Sequence, residues 1–176
     1  MPSTYLLLAS NVLSSSAASV TFSSIPSTYT DLVLRTSVRT DTAGTFQDIE
    51  MTWNGIETTG YYSQTWLNGD GTATSNLKVR SNESKWQYAN IPGTSVTSNT
   101  FATQEIYIPN YAGTTIKPAS VFTVTENNTA SSGFWQTRVN ALLGNFTSAI
   151  TSITFKLPSG NFVSGSSFYL YGISKS

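Results

Sequence analysis

The chain has 176 residues, no histidine and no cysteine, and its nine basic and nine acidic residues cancel to zero net charge. Without imidazole or thiol it lacks the commonest general base, the usual thiol nucleophile and the best transition-metal ligands. Its bases are scattered singly rather than clustered as phosphate binding requires, and no apolar run is long enough to span a bilayer, so neither nucleic acid nor membrane is expected as a partner.

The first apolar run is Tyr5-Leu6-Leu7-Leu8-Ala9, followed at residues 14–19 by a tract of small residues. Two readings fit: a Ser-rich hinge that lets the first strand pair with a neighbouring subunit, or an ordinary polar turn. The expected organisation is an N-terminal strand or arm with its hinge over residues 1–18 and one domain over residues 19–176. After a short strand at residues 20–22, Leu32, Leu34, Thr36 and Val38 alternate with Val33, Arg35, Ser37 and Arg39. Ile49, Met51 and Trp53 alternate in the same way with Asp48, Glu50 and Thr52. A period of two is the mark of a half-buried strand. Residues 62–67, 102–108, 121–125, 135–141, 153–157 and 168–173 repeat it, rich in the β-branched and aromatic types that suit a pleated surface.

Turn signals punctuate these runs: Asn54-Gly55, Asn68-Gly69-Asp70-Gly71, Pro92-Gly93, Ser132-Gly133 and Pro158-Ser159-Gly160. Residues 81–100 break the rhythm and are expected to form a long loop holding Trp86 and Tyr88. No stretch carries a 3.6-residue apolar stripe. The pattern predicts an all-β fold, an antiparallel β-sandwich of jelly-roll type. Its inward faces are expected to include Leu32, Leu34, Val38, Ile49, Met51, Val139, Ile153 and Phe155, with Arg39 and Lys156 on the solvent phase.

Few residues offer chemistry. Asp48 and Glu50, at i and i+2, fall on one face of a strand, as paired carboxylates for glycoside hydrolysis would. That face is the solvated one by alternation, and Glu57 beyond the next turn could join them around a calcium ion. Two exposed charges is the simpler reading. Asn68-Gly69-Asp70-Gly71 lacks the alternating oxygen ligands of a calcium loop and reads as a hairpin turn. Neither Ser-x-x-Lys nor Gly-x-Ser-x-Gly occurs, so no hydroxyl has an evident base. No catalytic, cofactor-binding or metal residue is assigned, and the chain is not expected to be an enzyme. Trp66, Trp86 and Tyr88 are candidates either for glycan contacts or for core and interface packing. Tyr5, Leu6, Leu7 and Leu8 are candidates for an intersubunit arm.

Three stretches carry a resemblance: Ser19-Val20-Thr21-Phe22-Ser23-Ser24-Ile25-Pro26 with Tyr29-Thr30-Asp31-Leu32-Val33-Leu34; Ile106-Tyr107-Ile108-Pro109-Asn110-Tyr111; and Ile150-Thr151-Ser152-Ile153 through Gly160-Asn161-Phe162 to Phe168-Tyr169-Leu170-Tyr171-Gly172-Ile173. Together they resemble the jelly-roll or β-sandwich modules of tailed-bacteriophage virion proteins, of capsid decoration or tail-fibre type. One departure is Trp53-Asn54-Gly55-Ile56, where such modules are expected to carry aromatic-Asn-Gly-Asp. The resemblance implies a non-enzymatic structural protein, made in the host cytoplasm and located in the virion. With no fibre-like shaft, the first expectation is a capsid decoration (cement) protein: a homotrimer whose partner is the major capsid protein or another virion protein. The alternative is a tail-fibre or receptor-binding knob, or a carbohydrate-binding module recognising host glycans.

Overall fold

Val, Ile, Thr and aromatic side chains in alternation with polar ones draw this chain into strands. The computed structural model describes residues 4–69, 76–126 and 135–174. The described residues contain no helix and form twelve strands. The first six are β1 (Tyr5–Val12), β2 (Ser19–Phe22), β3 (Asp31–Val38), β4 (Phe46–Trp53), β5 (Tyr62–Gly69) and β6 (Asn76–Glu83). The remainder are β7 (Trp86–Pro92), β8 (Ala102–Ile108), β9 (Lys117–Glu126), β10 (Trp135–Gly144), β11 (Ile153–Lys156) and β12 (Ser167–Ile173).

Two antiparallel sheets result. One has eight strands in the order β1-β12-β3-β8-β9-β10-β5-β6, and the other four in the order β2-β11-β4-β7. The quartets β1-β12-β3-β8 and β2-β11-β4-β7 are the two halves of a jelly roll, an eight-stranded double Greek key. Two hairpins are inserted into it. β5–β6 lies between β4 and β7 in sequence, β9–β10 between β8 and β11, and together they extend the first sheet beyond β8 as a four-stranded wing. Both hairpin turns fall on segments outside the described residues, as do Asp70-Gly71 and Ser132-Gly133.

The jelly-roll half has an apolar core. Leu32, Leu34 and Val38 of β3, Ile106 and Ile108 of β8 and Phe168 and Leu170 of β12 belong to one buried cluster with Val20, Phe22, Ile153, Phe155, Ile49, Met51 and Trp53 of the smaller sheet. Beside it sits an aromatic group. Trp53 and Trp86 meet edge to face with centroids 4.3 Å apart, and Tyr62 approaches Trp86 at 4.7 Å. Edge-to-face contact sets the positive rim of one ring against the negative face of the other. The buried Tyr62 hydroxyl donates to the Ile56 carbonyl at 2.7 Å and accepts from the Trp53 amide at 3.2 Å.

The three stretches that carry the resemblance meet at one end of the sandwich. The Tyr29 ring occupies the space where a Cβ on Gly172 would stand, 2.5 Å from its nearest atom, so this strand position admits only glycine. The Tyr111 hydroxyl donates to the Pro26 carbonyl. Asp31 accepts from the Tyr107 hydroxyl at 2.9 Å and from the Asn110 amide at 2.8 Å. At Asn54-Gly55 both residues have positive φ, 54° and 66°, as a type I′ turn requires. Ile56 packs against the core where the resemblance suggested an aspartate, and Asn54 Oδ1 accepts from the Thr151 amide at 2.8 Å.

Three expectations are corrected. Residues 86–92 are strand β7, not loop: a bulge in β7 at Ala89 and Asn90, opposite Asp48, with Ala89 at φ 65°, breaks its period of two, so that Trp86, Tyr88, Ala89 and Ile91 are all buried. Val139 is not inward but 50% exposed, because Arg138, Asn140 and Leu142 hold the inner phase of β10. Arg39 is not a surface residue. It is buried, and its guanidinium donates to the carbonyls of Gly93, Val96, Thr97 and Thr100 at 2.7–3.1 Å. It thereby pins the loop after β7 to the end of β3, and burial pulls its pKa down.

Leu34→Ala and Ile153→Ala are each expected to cost about 2–5 kcal/mol, as at other buried aliphatic sites. Arg39→Ala should cost about 3 kcal/mol or more, since it strands four carbonyls bonded to a charged donor. Urea denaturation checks all three, and an Arg39 variant as stable as the parent would contradict the pinning role.

Burial also raises the Tyr62 phenol to about 12 from its ordinary value of 10.0. The folded state therefore holds this proton more tightly than the unfolded one. The resulting stability is complete below pH about 10 and is lost as pH rises toward about 12. Thermal melts over that range should fall more steeply for the wild type than for Tyr62→Phe.

Candidate functional site

The three acids weighed for catalysis or ion binding are each engaged by a base. Asp48 lies opposite the bulge of β7 and reaches across to β10, where its Oδ1 accepts from Arg138 at 2.7 Å. Glu50 is buried rather than solvated, held by Lys85 at 2.9 Å and by the Gln87 side-chain amide at 3.1 Å. Glu57 pairs with Lys156 at the surface. Asp48 and Glu50 are thus drawn to different bases, Arg138 and Lys85, and do not act on a common point. Among the described residues no three acids converge on a point that could hold a metal ion.

The aromatic candidates separate as well. Trp86 and Tyr88 are fully buried between the sheets, and in this fold neither offers a ring to a glycan. Burial alone pushes the Tyr88 phenol well above its usual value. Trp66, on β5, is half-buried, and the Arg80 and Arg138 guanidinium carbons each lie 5.6 Å from its ring centroid. Its indole nitrogen is buried with no hydrogen-bond partner among the described residues. Arg138 is fixed further by Asn68 Oδ1 at 2.6 Å and by the Ala89 carbonyl at 3.0 Å. Burial lowers its pKa while Asp48 pushes it back up. The result is a stacked cation–aromatic cluster between wing and smaller sheet, where each charge is engaged.

The candidate arm, β1, pairs along its length with β12 of its own chain, from Tyr5 opposite Ile173 to Val12 opposite Ser167. Tyr5, Leu6 and Leu7 are about half exposed at this edge, and Leu8 packs against the core. The small-residue tract is tied down: Ala17 exchanges both backbone hydrogen bonds with Phe162, and Leu13 does so with Gly165 and Ser166.

The surface feature that sequence reasoning missed is the outer face of the wing. Pairing register sets Phe122 opposite Val139, Val139 opposite Leu67, and Leu67 opposite Leu77, one row across β9, β10, β5 and β6. A second row runs Ser120, Ala141, Thr65, Val79. Phe122, Leu77 and Val79 are 51%, 63% and 67% exposed. A shallow depression of about 330 Å³ lies here, lined in part by Thr65, Val79, Ala141 and Leu143. The bases of these strands, Lys78, Arg80, Lys117 and Arg138, occupy the opposite phase. Alternation was visible in the sequence, but which phase faces out was not.

No protein-family model matches the chain, and no curated protein matches it. Among solved structures, the Emp47p carbohydrate recognition domain is similar at 12% identity and TM-score 0.29, over 98% of this chain and 90% of that one. The CBM2 module of the Lactobacillus casei BL23 phage J-1 evolved Dit is similar at 12% identity and TM-score 0.24, over 90% and 69%. The infectious bursal disease virus Gx strain structure gives 12% identity and TM-score 0.13, over 97% of this chain and 36% of that one. These values carry no functional argument; the β-sandwich fold stands on the sheet topology itself.

The two kinds of ion pair predict different penalties. Asp48→Ala leaves the Arg138 charge buried without its counter-ion and is expected to cost about 3 kcal/mol or more. Glu57→Ala removes an exposed pair and should cost about 0–1 kcal/mol. Equal losses in denaturant titrations would mean that the Asp48–Arg138 pair is no more structural than the surface one.

Proposed function

We propose that this chain is a non-enzymatic virion structural protein, and within that class a capsid decoration protein that docks on the shell and stabilises it. The observation that carries the reading is the outer face of the wing, four strands wide, apolar in its centre and uncharged among its described side chains. Apolar patches of this breadth mark association surfaces, and a rigid jelly roll supplies a firm mount for one. The carboxylates that hydrolysis would need are instead tied up in ion pairs.

Decoration asks only for binding. Zero net charge removes long-range repulsion among many copies crowded on one particle. A protein that binds assembled capsomers better than free ones stabilises the shell by mass action. The major capsid protein is the natural partner, with copies arranged as a homotrimer at three-fold positions, closed symmetry being the usual state of such assemblies. A second reading, a tail-fibre knob or carbohydrate-binding module for host glycans, draws on the partly exposed ring of Trp66 beside Arg80, a pairing suited to a sugar bearing an acidic group.

Immunogold labelling of particles from the host culture tests the role. Many copies distributed over the capsid are expected. Label confined to the tail tip would select the second reading, and particles without label would remove the virion role.

A further inference from the structure

We infer that the outer face of the jelly-roll strands β1, β12, β3 and β8 binds a neutral oligosaccharide, with Arg35 at the centre of the site. Alternation turns Tyr5, Tyr169, Tyr171, Arg35, Glu105 and Tyr107 away from the core. Tyr171 stands opposite Val33, and Val33 opposite Tyr107. Two residues along, Tyr169 stands opposite Arg35, and Arg35 opposite Glu105. Four tyrosines therefore gather on one sheet face about the ion pair Arg35–Glu105, bonded at 3.0 Å.

The face is hollow on both sides of that pair. One depression of about 220 Å³ lies between Tyr5, Tyr171 and Arg35. A second, of about 440 Å³, is lined in part by Arg35, Thr103, Glu105 and Phe122. The shared guanidinium joins them into a trough running across the strands. From β12 to β9 is three inter-strand steps, or ~14 Å, which gives room for linked sugar rings side by side. The joined depressions have the size of a small-ligand site.

The chemistry of the trough selects the ligand. An aromatic ring presents a negative face, which suits the C–H face of a pyranose. Tyr107 is held for this by its hydroxyl, which donates to Asp31 at 2.9 Å, and Val33 beneath the neighbouring rings is buried although it faces outward. Arg35 only donates and Glu105 only accepts, whereas a sugar hydroxyl does both. Their mutual bond uses Arg35 Nε and Glu105 Oε2, so the terminal guanidinium nitrogens and Oε1 are left for adjacent hydroxyls. A neutral ligand bonds to both members without parting them, while an anion would compete with Glu105 and a cation with Arg35. A protein partner fits less well. The centre of a protein interface is depleted of charge, but here the ion pair is central and the aromatic rings flank it.

Apart from Phe122 at its border, this trough is separate from the wing face that serves docking. It also differs from the Trp66–Arg80 pairing, which suits an acidic sugar. Sugar binding and particle labelling therefore succeed or fail independently. The purified full chain is applied to an array of neutral hexose and N-acetylhexosamine oligosaccharides and of uronate-bearing ones, and calorimetry measures each ligand retained. At least one neutral oligosaccharide is expected to bind with a Kd of about 1 mM or below. Arg35→Ala and Tyr171→Ala should each weaken that binding at least tenfold, with an unchanged β-sheet circular dichroism spectrum. Retention of no neutral oligosaccharide overturns the inference, as does selective retention of uronate-bearing ones or binding that neither variant weakens. Should a variant unfold, the wild type decides by NMR as the retained sugar is titrated in. Shifts of the Tyr5 and Tyr171 ring protons support the site, and unmoved ring protons overturn it.

Discussion

An eight-stranded sheet faces a four-stranded one, and this mismatch in width governs where the chain places its polar and apolar side chains. Over the jelly-roll quartet, β2, β11 and β4 cover the larger sheet with aliphatic and aromatic groups. Beyond β8 only the edge strand β7 is available to cover the wing. The inward phase of the wing is correspondingly richer in polar groups: Thr123, Thr125, Arg138, Asn140 and Gln64 are buried there beside Tyr62, Ala119, Val121 and Leu142. Gln64 holds β7 as a backbone partner would, donating to the Gln87 carbonyl at 2.7 Å and accepting from the Gln87 amide at 3.1 Å. Other groups in this layer, the Asn140 amide, the Thr123 hydroxyl and the Tyr88 hydroxyl, are buried without a hydrogen-bond partner among the described residues. Each such group costs about 1–3 kcal/mol relative to a satisfied one. This layer is therefore costlier to bury than the aliphatic core, and Arg138, braced by Asp48, Asn68 and the Ala89 carbonyl, is its main anchor.

The jelly-roll end is held by a different logic. Its loops are fixed by cations and amides that satisfy carbonyls rather than by acid–base pairs. Arg39 gathers four carbonyls from residues 93–100, and Lys117 is buried with its ammonium donating to the carbonyls of Gly113 and, at 2.6 Å, Thr115. Buried backbone carbonyls in irregular segments need donors, and two long cationic side chains supply them. In a chain with so few charges, burying three of its nine bases at Arg39, Lys117 and Arg138 leaves a surface poorer in charge than the composition alone implies.

That economy bears on function. The wing is an insertion into a complete jelly roll, so its two hairpins are additions that the fold does not need for closure. They carry the cation–aromatic cluster about Trp66 on one side and the uncharged apolar face on the other. A surface of that kind is built to be covered, which agrees with a protein that works by association rather than by turnover.

The all-β class, the strand positions other than β6 and β7, and the jelly-roll type were legible in the sequence, because a period of two and evenly spaced turns are local properties of the chain. The inward placement of Leu32, Leu34, Ile49, Met51, Ile153 and Phe155 followed from the same periodicity, since these strands lie in the part of the sheet that has a partner. Tertiary structure decided the rest. Val139 faces out because the wing has little to cover it, a fact about sheet width that no local window contains. Trp86 and Tyr88 are core because they stand opposite Met51 and Ile49 on the inner face of β4, the left-handed Ala89 in the bulge of β7 turns Ile91 inward as well, and Arg39 is buried because carbonyls 54 to 61 residues away in sequence need its donors. Asp48 and Glu50 part company because each is held by a different base, Arg138 and Lys85. Alternation states which residues share a face; only the packing of one sheet on another states which face is inside.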